Sequence, residues 1–287
     1  MSERMGFFTD TTVCIGCKAC EVACKQWNDL PSDGGEIRVG ASYDATGELS
    51  ASTWRHVRFV EQFETPDLDL VHWAQANGSG RWLFMSDVCK HCTHAGCLDA
   101  CPTGAIIRTE FDTVVVQPDV CNGCGYCIPS CPFGVVGRDQ EDGRAAKCTL
   151  CYDRMQDGLE PACAKSCPTD SIQFGPHDEM VERGKKRVRA LEERGVDRAY
   201  LYGAADEPGE ALAGGLGAFF LLTEPPETYG LPAQADSPLR QNVLPATLSA
   251  MAAGLIAAAG VAAAFALPKK PSRGAQLGAR LSAGLRR

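Results

Sequence analysis

Along the 287-residue chain, apolar and polar positions alternate with period two over residues 54–63 and again over 81–85, which predicts two strands. Residues 102–120, PTGAIIRTEFDTVVVQPDV, read as strand, turn and strand. A helical period takes over in HDEMVERGKKRVRALEERG, residues 177–195, where Met180, Val181, Val188 and Leu191 share one face and Gly195 ends the run. Its charges alternate in sign and read as a solvated face. Short apolar runs at 199–202 and 218–222 are further strands, and the proline-rich stretch 224–238 reads as a strap over the surface. Residues 30–52, rich in Gly, Ser, Pro and Asp, read as a surface loop. Trp54, Trp73 and Trp82 read as ordinary core or interface residues. Residues 243–267 hold no charge over 25 positions, enough to cross a hydrocarbon core about 30 Å thick at about 1.5 Å per residue. The small residues Ala250, Gly254, Ala257 and Ala258 would let neighbouring helices approach this span closely, while a buried helix of a soluble protein is the competing reading.

The 16 cysteines change this picture, because they fall into quartets with none left over. The quartets are Cys14, Cys17, Cys20, Cys24; Cys89, Cys92, Cys97, Cys101; Cys121, Cys124, Cys127, Cys131; and Cys148, Cys151, Cys163, Cys167. The third reads CNGCGYCIPSCP, the C-x2-C-x2-C-x3-C-P run that holds cubane iron-sulfur clusters. Three sulfurs of such a run converge from one tight loop onto one cube, and the fourth points along the chain to a second cube. The second quartet widens one gap around His94 and Gly96, and the fourth carries an eleven-residue insertion between Cys151 and Cys163. In the first, Lys25 stands where the others have proline, which predicts a longer helix through Trp27. Disulfides and zinc are the other uses of paired cysteines. Cysteines two residues apart on a tight loop are badly placed for distant bridges, and zinc fingers use two pairs rather than three plus one.

Cys101-Pro-Thr-Gly-Ala-Ile and Cys167-Pro-Thr-Asp-Ser-Ile repeat one phrase, the half-unit of a two-cluster module. The three-plus-one rule then assigns Cys89, Cys92, Cys97 and Cys131 to one cube and Cys121, Cys124, Cys127 and Cys101 to another. By elimination the outer quartets pair, Cys14, Cys17 and Cys20 with Cys167, and Cys148, Cys151 and Cys163 with Cys24. The expected fold is α+β: two interleaved two-cluster ferredoxin-like modules with insertions, plus one C-terminal transmembrane helix. Its divisions are an outer module split over 1–30 and 140–176, an insertion at 31–85, an inner module at 86–139, the helix and strap at 177–242, the span at 243–267 and a tail at 268–287. His91 and His94 lie beside cysteines, but every cube already has four thiolates, so both are read as outer neighbours or exposed. Lys18, Lys90 and Lys147 also adjoin cysteines and would raise local potentials, although the plainer reading is that they are solvated.

The net charge of −8 is uneven: Lys269, Lys270, Arg273, Arg280, Arg286 and Arg287 are the charges of the tail, and removing these six leaves −14 for the rest. An acidic body argues against nucleic acid as partner. The basic tail predicts a cytoplasmic C-terminus and a cluster body on the extracytoplasmic side of the cell membrane. Residues 1–13 show no twin-arginine or hydrophobic leader, so export in complex with a partner that carries a signal is expected.

The chain resembles the iron-sulfur (beta) subunit of membrane-bound, quinone-linked formate dehydrogenase. The resemblance rests on CIGCKACEVACKQWND, SDVCKHC with GCLDACPTGAI, CNGCGYCIPSCPFGV, and KCTLCYDR with GLEPACAKSCPTDSIQFG, and extends to the 177–195 helix, PPETYGLP and the single span. It implies four 4Fe-4S clusters held by the sixteen cysteines, a molybdopterin-containing catalytic subunit as electron donor, and a membrane cytochrome b subunit that passes electrons to quinone. No catalytic residue and no small-molecule substrate site are expected on this chain. The alternatives are the equivalent subunit of a hydrogenase, or of a polysulfide or dimethyl sulfoxide reductase, and a membrane-tethered ferredoxin.

Overall fold

Strand β1 (Met5–Asp10) carries two adjacent phenylalanines, and neighbouring side chains of a strand point to opposite faces. Both Phe7 and Phe8 are buried, so this strand divides two apolar regions. Phe7 packs among Cys20, Cys89, Cys148 and Cys163, whereas Phe8 packs with Met180, Val181, Leu191 and Phe219. These positions come from a computed structural model, which describes residues 3–32, 47–62, 81–204 and 212–266. Trp73, most of the expected 30–52 loop and the basic tail lie outside the described residues. Met1–Arg240 form one compact unit and Gln241–Arg287 a second.

The other strands in chain order are β2 (Arg55–Gln62), β3 (Arg81–Val88), β4 (Ile106–Arg108), β5 (Val114–Val116), β6 (Gly137–Arg138), β7 (Ala145–Ala146), β8 (Ile172–Pro176), β9 (Tyr200–Tyr202) and β10 (Ala218–Leu222). The main sheet has order β8-β1-β10-β9, with β1 and β10 parallel and the outer pairs antiparallel. Strand β10, AFFLL, is buried at every position, which is why it reads as a continuous apolar run rather than an alternation. Among the described residues three two-stranded pairs complete the set: β2-β3 in an eight-residue register from Arg55↔Val88 to Gln62↔Arg81, then β4-β5 and β6-β7.

Among the described residues the helices are α1 (Ala19–Trp27), α2 (Gly96–Asp99), α3 (Tyr152–Gln156), α4 (Ala162–Lys165), α5 (His177–Glu192) and α6 (Pro238–Ala266). Helix α5 lays Met180, Val181 and Leu191 onto the sheet as its period predicts. Its polar face is not wholly solvated, because Arg187 reaches the buried carboxylate of Asp10 at 2.8 Å. The expected strap is likewise drawn inward: Tyr229, Leu231 and Ser237 are buried, and the Tyr202 hydroxyl donates to Pro232 O at 2.6 Å. Trp82 lies outside the core, exposed and stacked on Phe84 at 6.1 Å, while Trp54 is half-buried and donates to Ala51 O at 2.7 Å.

In the second unit α6 is apolar enough to cross a membrane, with a mean hydropathy of 2.0 in its most apolar window. It is exposed from Leu239 to Ala266, the opposite of what a buried soluble helix would show. Its hydroxyls are satisfied within the helix, Thr247 donating to Val243 O at 2.7 Å and Ser249 to Pro245 O at 2.8 Å, as a lipid-facing segment requires.

Candidate functional site

Each quartet opens on a loop with the same backbone turn. The residue two places after the first cysteine has a positive φ in all four: Gly16 at 67°, His91 at 45°, Gly123 at 72° and Leu150 at 60°. Glycine takes that conformation freely, whereas His and Leu hold it at a cost of roughly 1–2 kcal/mol. A strained turn kept at equivalent positions of four loops marks the geometry the thiols need. The closing phrase repeats too, with Gly104, Gly134 and Asp170 all left-handed three places after the last cysteine of their quartets.

The first loop is delivered by Asp10, whose carboxylate accepts from Thr12 N at 2.9 Å and Thr12 Oγ1 at 2.6 Å in the turn before Cys14. Opposite it, Ser171 Oγ donates to Asp10 O at 2.7 Å, tying β1 to the strand that follows Cys167. As a result Cys14, Cys17, Cys20 and Cys167 line one cavity, together with Ser86 and Ser171. Cys89, Cys92, Cys97 and Cys131 line a second, together with Lys90 and His91. The thiols acting on Cys127 are Cys121, Cys101 and Cys124. Those acting on Cys24 include Cys163 and Cys151, and Cys148 in turn feels Cys24 and Cys151. In both cavities three thiols of one quartet meet the last thiol of another.

Helix α1 packs against α4, where Ser166 Oγ donates to Ala19 O at 3.3 Å, so that Cys24 meets Cys163. The insertion after Cys151 folds as α3 and docks on Trp27, whose Nε1 donates to Asp153 at 2.8 Å while the Arg154 guanidinium lies 4.2 Å from the ring. The groupings also adjoin in a line. Cys20 feels Cys163, Cys148 feels Cys89, and Cys97 feels Cys127. Cys17 and Cys124, in the two end groupings, are exposed.

Burial pushes most of these thiols up, Cys20, Cys24 and Cys97 to about 12 and Cys151 to about 11, with neighbouring thiols adding to the rise. Cys101 is the exception. Burial raises it, but the Thr103 hydroxyl and the N–H groups of Ile106, Thr103 and Ala105 outweigh that and bring it below the usual value. The Cys-Pro-Thr phrase thus folds donors back onto its own sulfur.

Three buried cations stand among the thiols. Lys90 and Lys147 are 1% and 2% exposed, which overturns their reading as solvated; Lys18 keeps a quarter of its side chain in solvent, at 25%. Lys90 pairs with Asp87 and donates to Val88 O at 2.9 Å. Sequence reasoning missed the third buried cation, Arg55, which donates to Cys163 Sγ at 3.2 Å. The available signal was its place in β2 on the same side as Val57 and Phe59, where a strand normally carries apolar residues. His91 is buried rather than exposed: its Nδ1 accepts from Val114 N at 3.1 Å, and its Nε2 has no partner among the described residues. His94 is partly exposed, 3.6 Å from Asp236.

All sixteen cysteines are free of disulfides. Among the described residues no three His, Cys, Asp or Glu side chains converge closely enough to grip a single metal ion. Four thiols ringing a void, with an unpaired histidine nitrogen at one such void, fit a sulfide-bridged iron cluster, whose iron needs thiolate and whose sulfides accept hydrogen bonds.

The description "4Fe-4S dicluster domain" matches residues 80–177 in one family and residues 13–105 in another. The chain is 44% identical over 227 residues to the formate dehydrogenase iron-sulfur subunit of Haemophilus influenzae, covering 78% of this chain and 67% of that protein. It is 43% identical to the iron-sulfur subunit of the nitrate-inducible formate dehydrogenase of Escherichia coli, covering 78% of this chain and 70% of the relative. The B subunit of the anaerobic dimethyl sulfoxide reductase of Escherichia coli is 36% identical over 183 residues, 64% of this chain and 78% of the relative.

Proposed function

The protein belongs to the iron-sulfur subunits of formate dehydrogenases, and from that membership we propose that it carries electrons from a molybdopterin-containing catalytic subunit, through four 4Fe-4S clusters, to a membrane cytochrome b subunit and on to quinone. The clusters supply one-electron carriage at separate sites, and the residues of this chain supply ligation, spacing and charge. The ligand sets are Cys14, Cys17, Cys20 and Cys167; Cys148, Cys151, Cys163 and Cys24; Cys89, Cys92, Cys97 and Cys131; and Cys121, Cys124, Cys127 and Cys101. The observation that carries this reading is the line of four thiol groupings, each built from two quartets and exposed only at its two ends through Cys17 and Cys124. A line open at both ends suits a donor at one and an acceptor at the other. Sixteen thiols in four closed sets leave no open iron for substrate, so bond chemistry belongs to the partner.

The outer module comprises residues 1–30 and 140–176 and encloses the inner module at 86–139. Helix α6 anchors the protein in the cell membrane, with the body extracytoplasmic and the basic tail inside, a reading supported by the six cations beyond residue 267.

The complex purified without oxygen should hold about sixteen iron and sixteen acid-labile sulfide per chain, and formate should bleach its visible absorbance. Cys167→Ser should disturb the cluster held by Cys14, Cys17 and Cys20 and spare the one held by Cys148, Cys151 and Cys163. A colourless, iron-free preparation would remove the wire, and a complex indifferent to formate whose chemically reduced clusters are reoxidised by dimethyl sulfoxide would favour the reductase relative instead.

A further inference from the structure

Two of the buried cations lack a carboxylate partner. Arg55 is 1% exposed and Lys147 2%, and among the described residues neither forms an ion pair. Lys90, by contrast, is neutralised locally by Asp87. An uncompensated buried charge is costly, so what stands opposite it matters. Arg55 donates through one terminal nitrogen to Cys163 Sγ at 3.2 Å and through the other to Ser86 O at 3.2 Å and Ser86 Oγ at 3.3 Å. Ser86 Oγ is in turn 3.2 Å from Cys20 Sγ, and the guanidinium Nε has no partner. The arginine thus links a thiol of the Cys14 grouping to a thiol of the Cys148 grouping. Burial lowers its pKa, but the thiols of Cys163, Cys20, Cys148 and Cys24 outweigh that and raise it. Lys147 occupies the next gap. Its Nζ donates to Val114 O and, at 3.1 Å, to Cys148 O, and its charge acts on Cys89, Cys97 and Cys131 as well as Cys148.

We propose that Arg55 and Lys147 are fixed positive charges set between successive clusters, each holding up the reduction potentials of the two clusters that flank it. This rests on the cluster reading above and goes beyond it by assigning two residues that ligate nothing. An electron added to a buried cluster is destabilised by the lack of water, and a permanent cation beside it offsets that loss. With an effective dielectric constant of about 20, a unit charge about 10 Å away changes a one-electron equilibrium more than tenfold. Both clusters on either side of a bridge cation gain together, and the Cys148 cluster, which lies beside both cations, gains from each.

The test is an EPR-monitored redox titration of the purified complex carrying Arg55→Gln, Arg55→Lys, Lys147→Met or Lys147→Arg, with iron counted in each. Arg55→Gln should lower the reduced-to-oxidised ratio at fixed potential at least tenfold, about 59 mV, for the Cys14 and Cys148 clusters. Lys147→Met should do so for the Cys148 and Cys89 clusters, and the Cys121 cluster should move in neither. Arg55→Lys and Lys147→Arg, which keep the charge, should stay near the native potentials. Unmoved potentials with full iron would overturn the proposal, as would charge-keeping variants that shift as far as the neutral ones. If Arg55→Gln sheds iron, the Lys147 pair decides by the same two outcomes. A native complex without four titrating signals would sink the cluster reading itself, before any variant is made.

Discussion

Replacing Gly96 with alanine tests whether the second and third quartets build one site between them. Gly96 precedes Cys97, and a Cβ on it would meet Ser130 O, one residue before Cys131, at 2.3 Å. Ordinary contact begins at 3.4 Å, so the two segments must part by about 1 Å. Gly96 does not have a positive φ, so the whole effect of the methyl is this collision. Overpacking of that kind costs about 1–3 kcal/mol, which the body can survive. The cluster proposed to join Cys97 and Cys131 is less tolerant, because metal–ligand distances hold within about 0.2 Å. Gly96→Ala should therefore fold yet lose that one cluster, lowering iron from about sixteen to about twelve per chain and deleting one EPR signal. Gly104→Ala is the control: it imposes left-handed strain at φ 68° with nothing within 4 Å, and should keep all its iron. Full iron and four unchanged signals in Gly96→Ala would refute the shared site.

Two further outcomes concern stability. Lys90→Met leaves the mostly buried carboxylate of Asp87 without its cation and should cost about 3–5 kcal/mol in anaerobic denaturant unfolding; a loss below about 1 kcal/mol would show that Asp87 finds other solvation. Burial, and then the charge of Arg4, hold His177 below the usual imidazole value of 6.5, while its Nε2 contacts Leu216 O at 2.9 Å. The unfolded state then takes up the proton first, so stability is lost as pH falls below about 6.5 and stops falling once the folded-state pKa is passed. The slope in that window is up to about 1.4 kcal/mol per pH unit, and His177→Gln should remove it; identical slopes for both proteins would contradict the assignment.

The quartets were legible because their chemistry is local: a C-x2-C gap states its ligand geometry within a few residues, and the Cys101 and Cys167 phrases repeat in sequence before they repeat in φ. The β2-β3 pair, the β4-β5 hairpin and the buried face of α5 were legible by period. What escaped depends on distant segments meeting. AFFLL reads as a strand, but nothing local says that it lies parallel to β1 in the central sheet. Lys147 looks solvated until Val114 O and the second grouping close over it, and PPETYGLP looks like a surface strap until Tyr229 is seen filling the core beneath it. Arg55 was hidden for the opposite reason, because its environment is made of cysteines that sequence reasoning had already assigned to another task.

The cysteines are part of the core as well as the site, which bears on how the body is held together. Cys20, Cys89, Cys148 and Cys163 pack with Phe7, Val57 and Leu150 in one apolar cluster, and Cys97 and Cys127 with Ile106 and Val114 in another. Without iron these are thiols around voids, pushed up in pKa by burial, with Arg55 and Lys147 buried among them. A bound cluster would take these cysteines as thiolates, fill the voids and set net negative charge against both cations, so ligation and folding would draw on the same interactions. The left-handed turns at His91 and Leu150 belong to the same balance: their strain is tolerable where a cluster fixes the loop and has no return where it does not. On the cluster assignment proposed above, the sites would be coupled in stability through the cations between them, and removing the Cys148 grouping, which meets both Arg55 and Lys147, should disturb its neighbours more than removing the Cys121 grouping.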